Sequence, residues 1–341
     1  MKRSATPSAE YSVMEDVERC GVPNLGNSCY LSSVIVALAA SNQTRKAINQ
    51  AAKSVQTLKT SFVVKALHEA LGNRSRNVIS NLIRRVHRDM KFGVSGNSQE
   101  DAHELFVFLV HAIEEQFLAD LKAKSESSVR NWMRLMLLRI KLDFGEEPPY
   151  FPSEFHPFRG LLRSDLKFPA CRHERVPRFS YFTTISLPVF FDRSCTLDQC
   201  LVMFAAEEQI EDVICSECKC KQKAFKKVSV SRLPSTLVFH FNRALKEKSN
   251  VHIEFPETLP WSSIDRLMSN VSVSSSCLGT YRLSSVITHT GSISSGHYSI
   301  YHKSISQQEW LYTSDSIVRS VGLHSVLACQ AYMLFYERCF L

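Results

Sequence analysis

Apolar side chains recur at helical spacing early in the chain and at strand spacing later. Leu31, Val34, Ile35 and Leu38 fall at i, i+3, i+4 and i+7, as do Ala102, Leu105, Phe106 and Leu109, and each set makes the apolar stripe of an amphipathic helix. Segments 55–72 and 77–90 predict two further helices, punctuated by Asn73 and Arg74. Residues 119–165 are charged, then rich in Pro and Phe (Pro148, Pro149, Pro152, Pro157). This stretch predicts a connection with one helix near 128–141 and a long loop. From about residue 166 the chain turns β-rich. Alternation, or β-branched and aromatic content, predicts strands at 182–189, 228–231, 236–241, 281–287 and 297–301. A helical front half followed by a β-rich back half predicts an α+β fold with a cleft between the halves.

Composition narrows the function classes. The chain has 341 residues, 44% hydrophobic and 22% charged, with a formal net charge of +8. That length supports a large core, and the charge describes a mildly basic surface. No arginine-rich arm or aromatic-laced basic stripe is present, so no nucleic-acid partner is expected. The eleven cysteines are an odd number without the spacing of a secreted disulfide framework, which predicts a reducing compartment. Residues 1–16 lack the apolar centre of a signal peptide. No stretch approaches the ~20 apolar residues of a membrane span, so a soluble protein with no membrane anchor in this sequence is expected.

Two segments carry chemistry. Residues 21–38 read as a polar loop, Gly-Val-Pro-Asn-Leu-Gly-Asn-Ser, running into an amphipathic helix. Ser28 is the expected N-cap. Cys29 then sits in the first helical turn, where the dipole and backbone N–H groups favour a thiolate. Asn24 lies on the loop that must curl back over the helix start, placed to donate to an oxyanion alongside the Cys29 N–H. A buried, inert cysteine is the ordinary alternative, but the loop and a downstream histidine argue against it.

Residues 286–301 hold that histidine. Two strand-like runs flank a Gly/Ser loop, and His297 opens the second run directly after Gly296. His297 can face a cleft there as a general base, and the glycine lets a substrate backbone approach. His289, inside the first run, is the competitor and fits a packing or hydrogen-bonding role better. After Trp310, Ser314 and Asp315 close a further predicted strand that can pair with the one from His297. Either residue can orient the imidazole by accepting its Nδ1–H.

Together these segments resemble the ubiquitin-specific proteases, papain-like deubiquitinases. The nucleophile box is Gly21 to Ser33, with Ser28 for the usual Thr. The second signature is Gln99-Glu-Asp-Ala-His-Glu-Leu105. Leu233-Pro-Ser-Thr-Leu-Val-Phe-His-Phe-Asn-Arg243 and Gly296-His-Tyr-Ser-Ile-Tyr301 match the remaining two. The resemblance runs in family order over about 20–337. It implies a papain-like thumb–palm–fingers architecture: a flexible 1–19, then a catalytic domain over 20–341 with thumb about 20–150, fingers about 160–230 and palm about 231–341. It implies hydrolysis of the isopeptide bond after the C-terminal glycine of ubiquitin, with ubiquitin and ubiquitinated proteins as partners. Cys29 becomes the nucleophile, His297 the base and Asn24 the oxyanion donor. Asp101, Glu104, Gly296 and Tyr298 become contacts to ubiquitin's arginine-bearing tail. For Asp101 a structural role stands beside this one, because Ser98-Gln-Glu-Asp101 fits a capping box. A non-catalytic ubiquitin-binding module, or a protease for a ubiquitin-like modifier, is the alternative function.

Two departures stand out. The third triad position is usually Asp or Asn; here it is Ser314, followed by Asp315. That serine, the segment around it and Ala331 to Arg338 resemble the mitochondrial outer-membrane branch of the family, which has a Cys-His-Ser triad. This implies action on mitochondrial proteins from the cytosolic face, opposition to mitophagy and a leaning toward chains joined through ubiquitin's most N-terminal lysine. The second departure concerns zinc. The family's fingers often carry two Cys-x-x-Cys pairs on one zinc. Cys215-Ser-Glu-Cys218 is intact, but only Cys171 remains of the other pair, with Phe168 in its partner's place. Three thiolates leave a corner for His173 or Cys220, or they pack without metal. Catalysis itself requires no cofactor.

Overall fold

The computed structural model describes residues 17–54, 58–90, 100–124, 156–190, 193–243, 248–268, 279–292 and 295–339. Helices come first: α1 Cys29–Ala39, α2 Asn42–Ala52, α3 Ser61–Gly72, α4 Arg76–Met90 and α5 Ala102–Lys124. Then follow β1 Gly160–Phe168, β2 His173–Phe182, β3 Ile185–Pro188, β4 Cys195–Thr196, α6 Leu197–Ala205, β5 Glu208–Ile214, β6 Lys221–Arg232 and β7 Thr236–Asn242. The remainder is β8 Ile253–Glu254, β9 Thr258–Leu259, α7 Trp261–Asp265, β10 Thr280–Gly291, β11 Gly296–Lys303, β12 Trp310–Ser314, β13 Ile317–Val321, α8 Leu323–Leu327 and β14 Ala331–Cys339.

The fold is α+β, as expected. One four-stranded antiparallel sheet has the order β2-β1-β6-β5. An eight-stranded sheet runs β13-β12-β11-β10-β14-β7-β3, with β9 also on β10. Only β3 joins it in parallel. Its centre is covered on both sides. Val238, Ile287, Met333 and Phe335 face the helices, whereas Leu237, Phe239, Val286, Leu334 and Tyr336 face a second core, as a period of two requires. All of α1 is buried, packed between the other helices and strands β10, β11 and β12. Edge-to-face contacts of Phe106 with Phe158 (5.0 Å) and Phe335 (5.4 Å) lock α5 to the same layer.

Several boundaries differ from expectation. The helix predicted from 55 begins at Ser61, after a turn held by Leu58 N–H donating to Ser61 Oγ (2.8 Å). The strand predicted at 182–189 is two elements, because the chain bends between Phe182 and Ile185. β-structure begins at Gly160 rather than 166. The helix predicted near 128–141 lies outside the described residues. Among the described residues no helix is long and apolar enough to cross a membrane.

His156 and His302, each 2% exposed, lie inside this frame. Burial lowers His156 to about 4, against the opposing pull of Glu114 (Nε2 to Oε2 3.8 Å), and lowers His302 to about 3. An unfolded imidazole titrates near 6.5. Below that pH the unfolded chain binds more protons than the folded one, so stability falls as pH falls. We expect each histidine to contribute a slope of up to about 1.4 kcal/mol per pH unit between pH ~6.5 and its folded value. Urea unfolding of the wild type and of His156→Gln plus His302→Gln at pH 7 and 5 checks this: the variant should lose less stability on acidification.

Candidate active site

The nucleophile segment is shaped by its own polar side chains. Asn24 Oδ1 accepts from Gly26 N–H (3.0 Å) and Ser28 N–H (3.3 Å), curling the loop over the start of α1. Asn27 takes the left-handed conformation (φ 50°) within that turn. Ser28 stands at the N-cap position as expected, but its hydroxyl makes no capping bond. It accepts instead from Leu25 N–H at 2.9 Å. The loop is thus braced from inside, and Cys29 opens the first helical turn.

Strands β11 and β12 pair antiparallel and bring His297 to Ser314, with Nε2 to Oγ at 2.8 Å. Nε2 is the nitrogen engaged, not the expected Nδ1; α1 packs on the same strand. Asp315 follows at φ 50°, its Oδ2 4.0 Å from His297 Nε2. The same oxygen accepts from Asn24 Nδ2 at 3.0 Å, and the Asp315 carbonyl accepts from Val22 N–H at 2.9 Å. Gly21 makes this approach possible, since a Cβ there would stand 2.3 Å from the Asp315 carbonyl oxygen. Asp315 therefore fastens the nucleophile loop to the histidine hairpin.

A cleft of about 230 Å³ lies alongside, lined by Asp101, Glu104, His240, Lys248, Tyr298 and Tyr332 among others. Asp101 Oδ1 accepts from His103 N–H (2.7 Å) and Glu104 N–H (3.0 Å). It is itself the N-cap of α5, rather than the third helical residue of a capping box begun by Ser98, which lies outside the described residues. Its Oδ2 accepts from Tyr332, whose hydroxyl also meets Tyr298. Burial, then Asp101 and Glu100, raises Glu104.

The cations of the cleft are spent elsewhere. Lys248 Nζ donates to the carbonyls of His289 (2.9 Å) and Gly291 (2.7 Å), and Arg243 is buried against the carbonyls of Ala331, Ser249 and Val251. The imidazoles stay neutral: burial lowers His103, His240 to about 3 and His289 to about 4. His103 and His240 stack face to face at 4.0 Å. The cleft therefore sets two carboxylates, Asp101 and Glu104, beside two cations that are tied to backbone carbonyls.

His289 packs on Tyr298 at 4.4 Å, in keeping with a packing role. Gly296 makes room for it, since a Cβ would meet His289 Nε2 at 2.4 Å and the Thr290 carbonyl at 2.3 Å. The glycine is needed by its own hairpin, a role not anticipated from sequence. His240 and Tyr332 were missed as lining residues. The signal was a polar aromatic interrupting an apolar strand, at Phe239-His240-Phe241 and Ala331-Tyr332-Met333.

The cysteines form a separate cluster at the far tips of the four-stranded sheet. Cys171, Cys215 and Cys218 hold their sulfurs within 4.8 Å of one another, with Cys171 and Cys215 at 3.7 Å. Tetrahedral zinc with Zn–S near 2.3 Å sets S···S edges of about 3.8 Å, so the three thiols fit such an ion. Neither residue considered for the fourth corner belongs to this group among the described residues; His173 turns to Ser216 Oγ (3.5 Å).

The family model described as ubiquitin carboxyl-terminal hydrolase matches residues 20–336. The chain belongs to that family, the cysteine-type deubiquitinases. It is 24% identical to ubiquitin carboxyl-terminal hydrolase 30 of Xenopus tropicalis, over 93% of this chain and 80% of that one. It is 26% identical to ubiquitin carboxyl-terminal hydrolase 8 of Saccharomyces cerevisiae, over 93% and 70%. Against ubiquitin carboxyl-terminal hydrolase 4 of Eremothecium gossypii it is 26% identical but spans only 42% of that protein. The SAGA Ubp8/Sgf11/Sus1/Sgf73 deubiquitinating module bound to ubiquitin aldehyde shares the fold, with a TM-score of 0.71 at 24% identity over 94% of this chain and 69% of that one.

The double role of Asp101 generates a prediction. Asp101→Ala should cost about 1–2 kcal/mol of stability by uncapping α5. Asp101→Asn should cost less, because Asn caps as well; urea unfolding midpoints distinguish the two.

Proposed function

We propose that the protein hydrolyses the isopeptide bond after the C-terminal glycine of ubiquitin through Cys29, His297 and Ser314, with Asn24 donating to the oxyanion. The contact between His297 Nε2 and Ser314 Oγ at 2.8 Å carries this reading, because it holds the ring and gives an Nε2–H tautomer an acceptor. With Nε2–H donated to the serine, Nδ1 is the basic nitrogen. It takes the Cys29 proton as Sγ attacks the glycine carbonyl carbon. One amide hydrogen of Asn24 is held by Asp315, leaving the other for the oxyanion. The tetrahedral species collapses with departure of the lysine amine, which receives the proton from His297. Water, deprotonated by His297, then cleaves the thioester and restores the thiol.

Serine offers the imidazolium a hydrogen bond but no charge. Asp315, 4.0 Å from Nε2, supplies the nearby negative charge while holding Asn24. The carboxylates of the cleft support a tail-binding role for Asp101 and Glu104 toward arginines, with Tyr298 in its wall and Gly296 proposed as a contact from the neighbouring hairpin. The helical, four-stranded and eight-stranded parts correspond in this reading to thumb, fingers and palm. Ser314 also supports the narrower reading: ubiquitin on mitochondrial proteins, opposition to mitophagy, and chains joined through the most N-terminal lysine of ubiquitin.

A ubiquitin C-terminal electrophile should label the wild type and not Cys29→Ala. Failure to label would favour a non-catalytic binding module, and preferential labelling by a modifier-based electrophile would favour a different substrate. With a fluorogenic ubiquitin substrate, Ser314→Ala should lower kcat/KM about 10²-fold, within the range of lost acid–base assistance. If Asp315→Ala slows turnover and Ser314→Ala does not, the serine assignment is wrong.

A further inference from the structure

The three clustered thiols occupy neighbouring hairpin tips. Cys171 lies in the turn between β1 and β2, and Cys215 and Cys218 lie in the turn between β5 and β6. The strand order β2-β1-β6-β5 sets these turns side by side. The second turn is built as a sulfur-holding knuckle. Glu217 N–H points at Cys215 Sγ (3.4 Å), while Lys219 N–H to the Cys215 carbonyl and Cys215 N–H to the Cys220 carbonyl (3.1 Å each) close the loop. Lys219 takes φ 60° to do so. Beneath lies a small apolar floor containing Leu166, Phe168 and Ala224. Phe168 takes the sequence position of a fourth cysteine and packs into that floor, so a fourth ligand must come from elsewhere.

Gln222, the second residue of β6, stands where it is needed. Its amide nitrogen lies 3.2 Å from Cys171 Sγ and 3.2 Å from Cys218 Sγ. Its Oε1 is buried with no hydrogen-bond partner. An amide turned by 180° about its last bond occupies the same volume with oxygen and nitrogen exchanged. The exchange would carry the unpartnered oxygen to the two sulfurs. A tetrahedral zinc with three S ligands and one O ligand has S···O edges of about 3.6 Å, from Zn–S near 2.3 Å and Zn–O near 2.1 Å. We infer that Gln222 supplies, through Oε1, the fourth ligand of a zinc site formed with Cys171, Cys215 and Cys218. Binding converts the three thiols to thiolates and releases their protons to solvent; no oxidant or reductant takes part. The ion would pin the β1–β2 and β5–β6 turns together, which the sheet hydrogen bonds alone do only through β1 and β6.

The test uses the full chain, reduced and stripped of metal, titrated with Zn2+ against a chromophoric chelator and with Co2+ by absorption spectroscopy. The wild type should take up one metal per chain. Gln222→Ala should weaken binding at least about tenfold, since even outer-shell losses cost 10–100-fold, and should alter the Co2+ ligand-field bands. Gln222→Cys should tighten binding and intensify the sulfur-to-cobalt charge-transfer band toward that of an all-thiolate site. Far-UV circular dichroism of each variant establishes that it is folded. Wild-type affinity and bands in folded Gln222→Ala would overturn the assignment of the fourth ligand. A wild-type chain that takes up no metal at zinc excess would overturn the site itself, and labelling of Cys29 by the ubiquitin electrophile would still report separately on the proposed reaction.

Discussion

The packing of α1 against the central sheet is the constraint on which the rest of the molecule depends. Every residue of that helix is buried, so it has no freedom to slide or rotate without opening the core on all sides. Its first residue is Cys29. The strands it packs on include β11, which begins at Gly296 and His297. Cys29 and His297 thus belong to elements that share one close-packed interface, and their separation is set by core volume rather than by loop flexibility. The clamp from Asp315 to Val22 and Asn24 adds a polar bond at the edge of the same interface.

Burial also sets the electrostatics of the neighbouring cleft. Histidines stacked at 4.0 Å cannot both carry charge, and desolvation already disfavours the charged form of each. The lysine and arginine nearby are tied to backbone carbonyls. Among the described lining residues, Asp101 and Glu104 are the carboxylates that can face a ligand. Asp101 caps α5 and accepts from Tyr332, so the helix start and the cleft wall are one piece of architecture.

Much of this was legible in the residues, and the exceptions have physical causes. α4 shows an apolar stripe because one face of it meets the core, whereas α1 reads as nearly continuously apolar because it is buried all round. β7 reads as a continuous apolar run because the sheet is covered on both faces. β1, β2 and β5 escaped notice because their sheet is largely open to solvent: β5 buries no residue fully, and its Glu and Asp look like a loop. The bond from His297 to Ser314 was expected, but through the other nitrogen, since periodicity carries no information on ring orientation. The Asp315 clamp was invisible, because it joins residues 291 positions apart and depends on a backbone turn with positive φ. Gln222 carried no signal, since an amide among lysines on a strand looks like ordinary surface.

The order of strands has a consequence for how the molecule is made. β14, last in the sequence, lies inside the eight-stranded sheet between β10 and β7. Its Met333 and Phe335 complete the floor under the helices. A chain emerging from a ribosome presents Cys29 early, yet the sheet that carries His297 has a gap until residues 331–339 have been released. Strand β14 thus closes the sheet between two strands that precede it in the sequence.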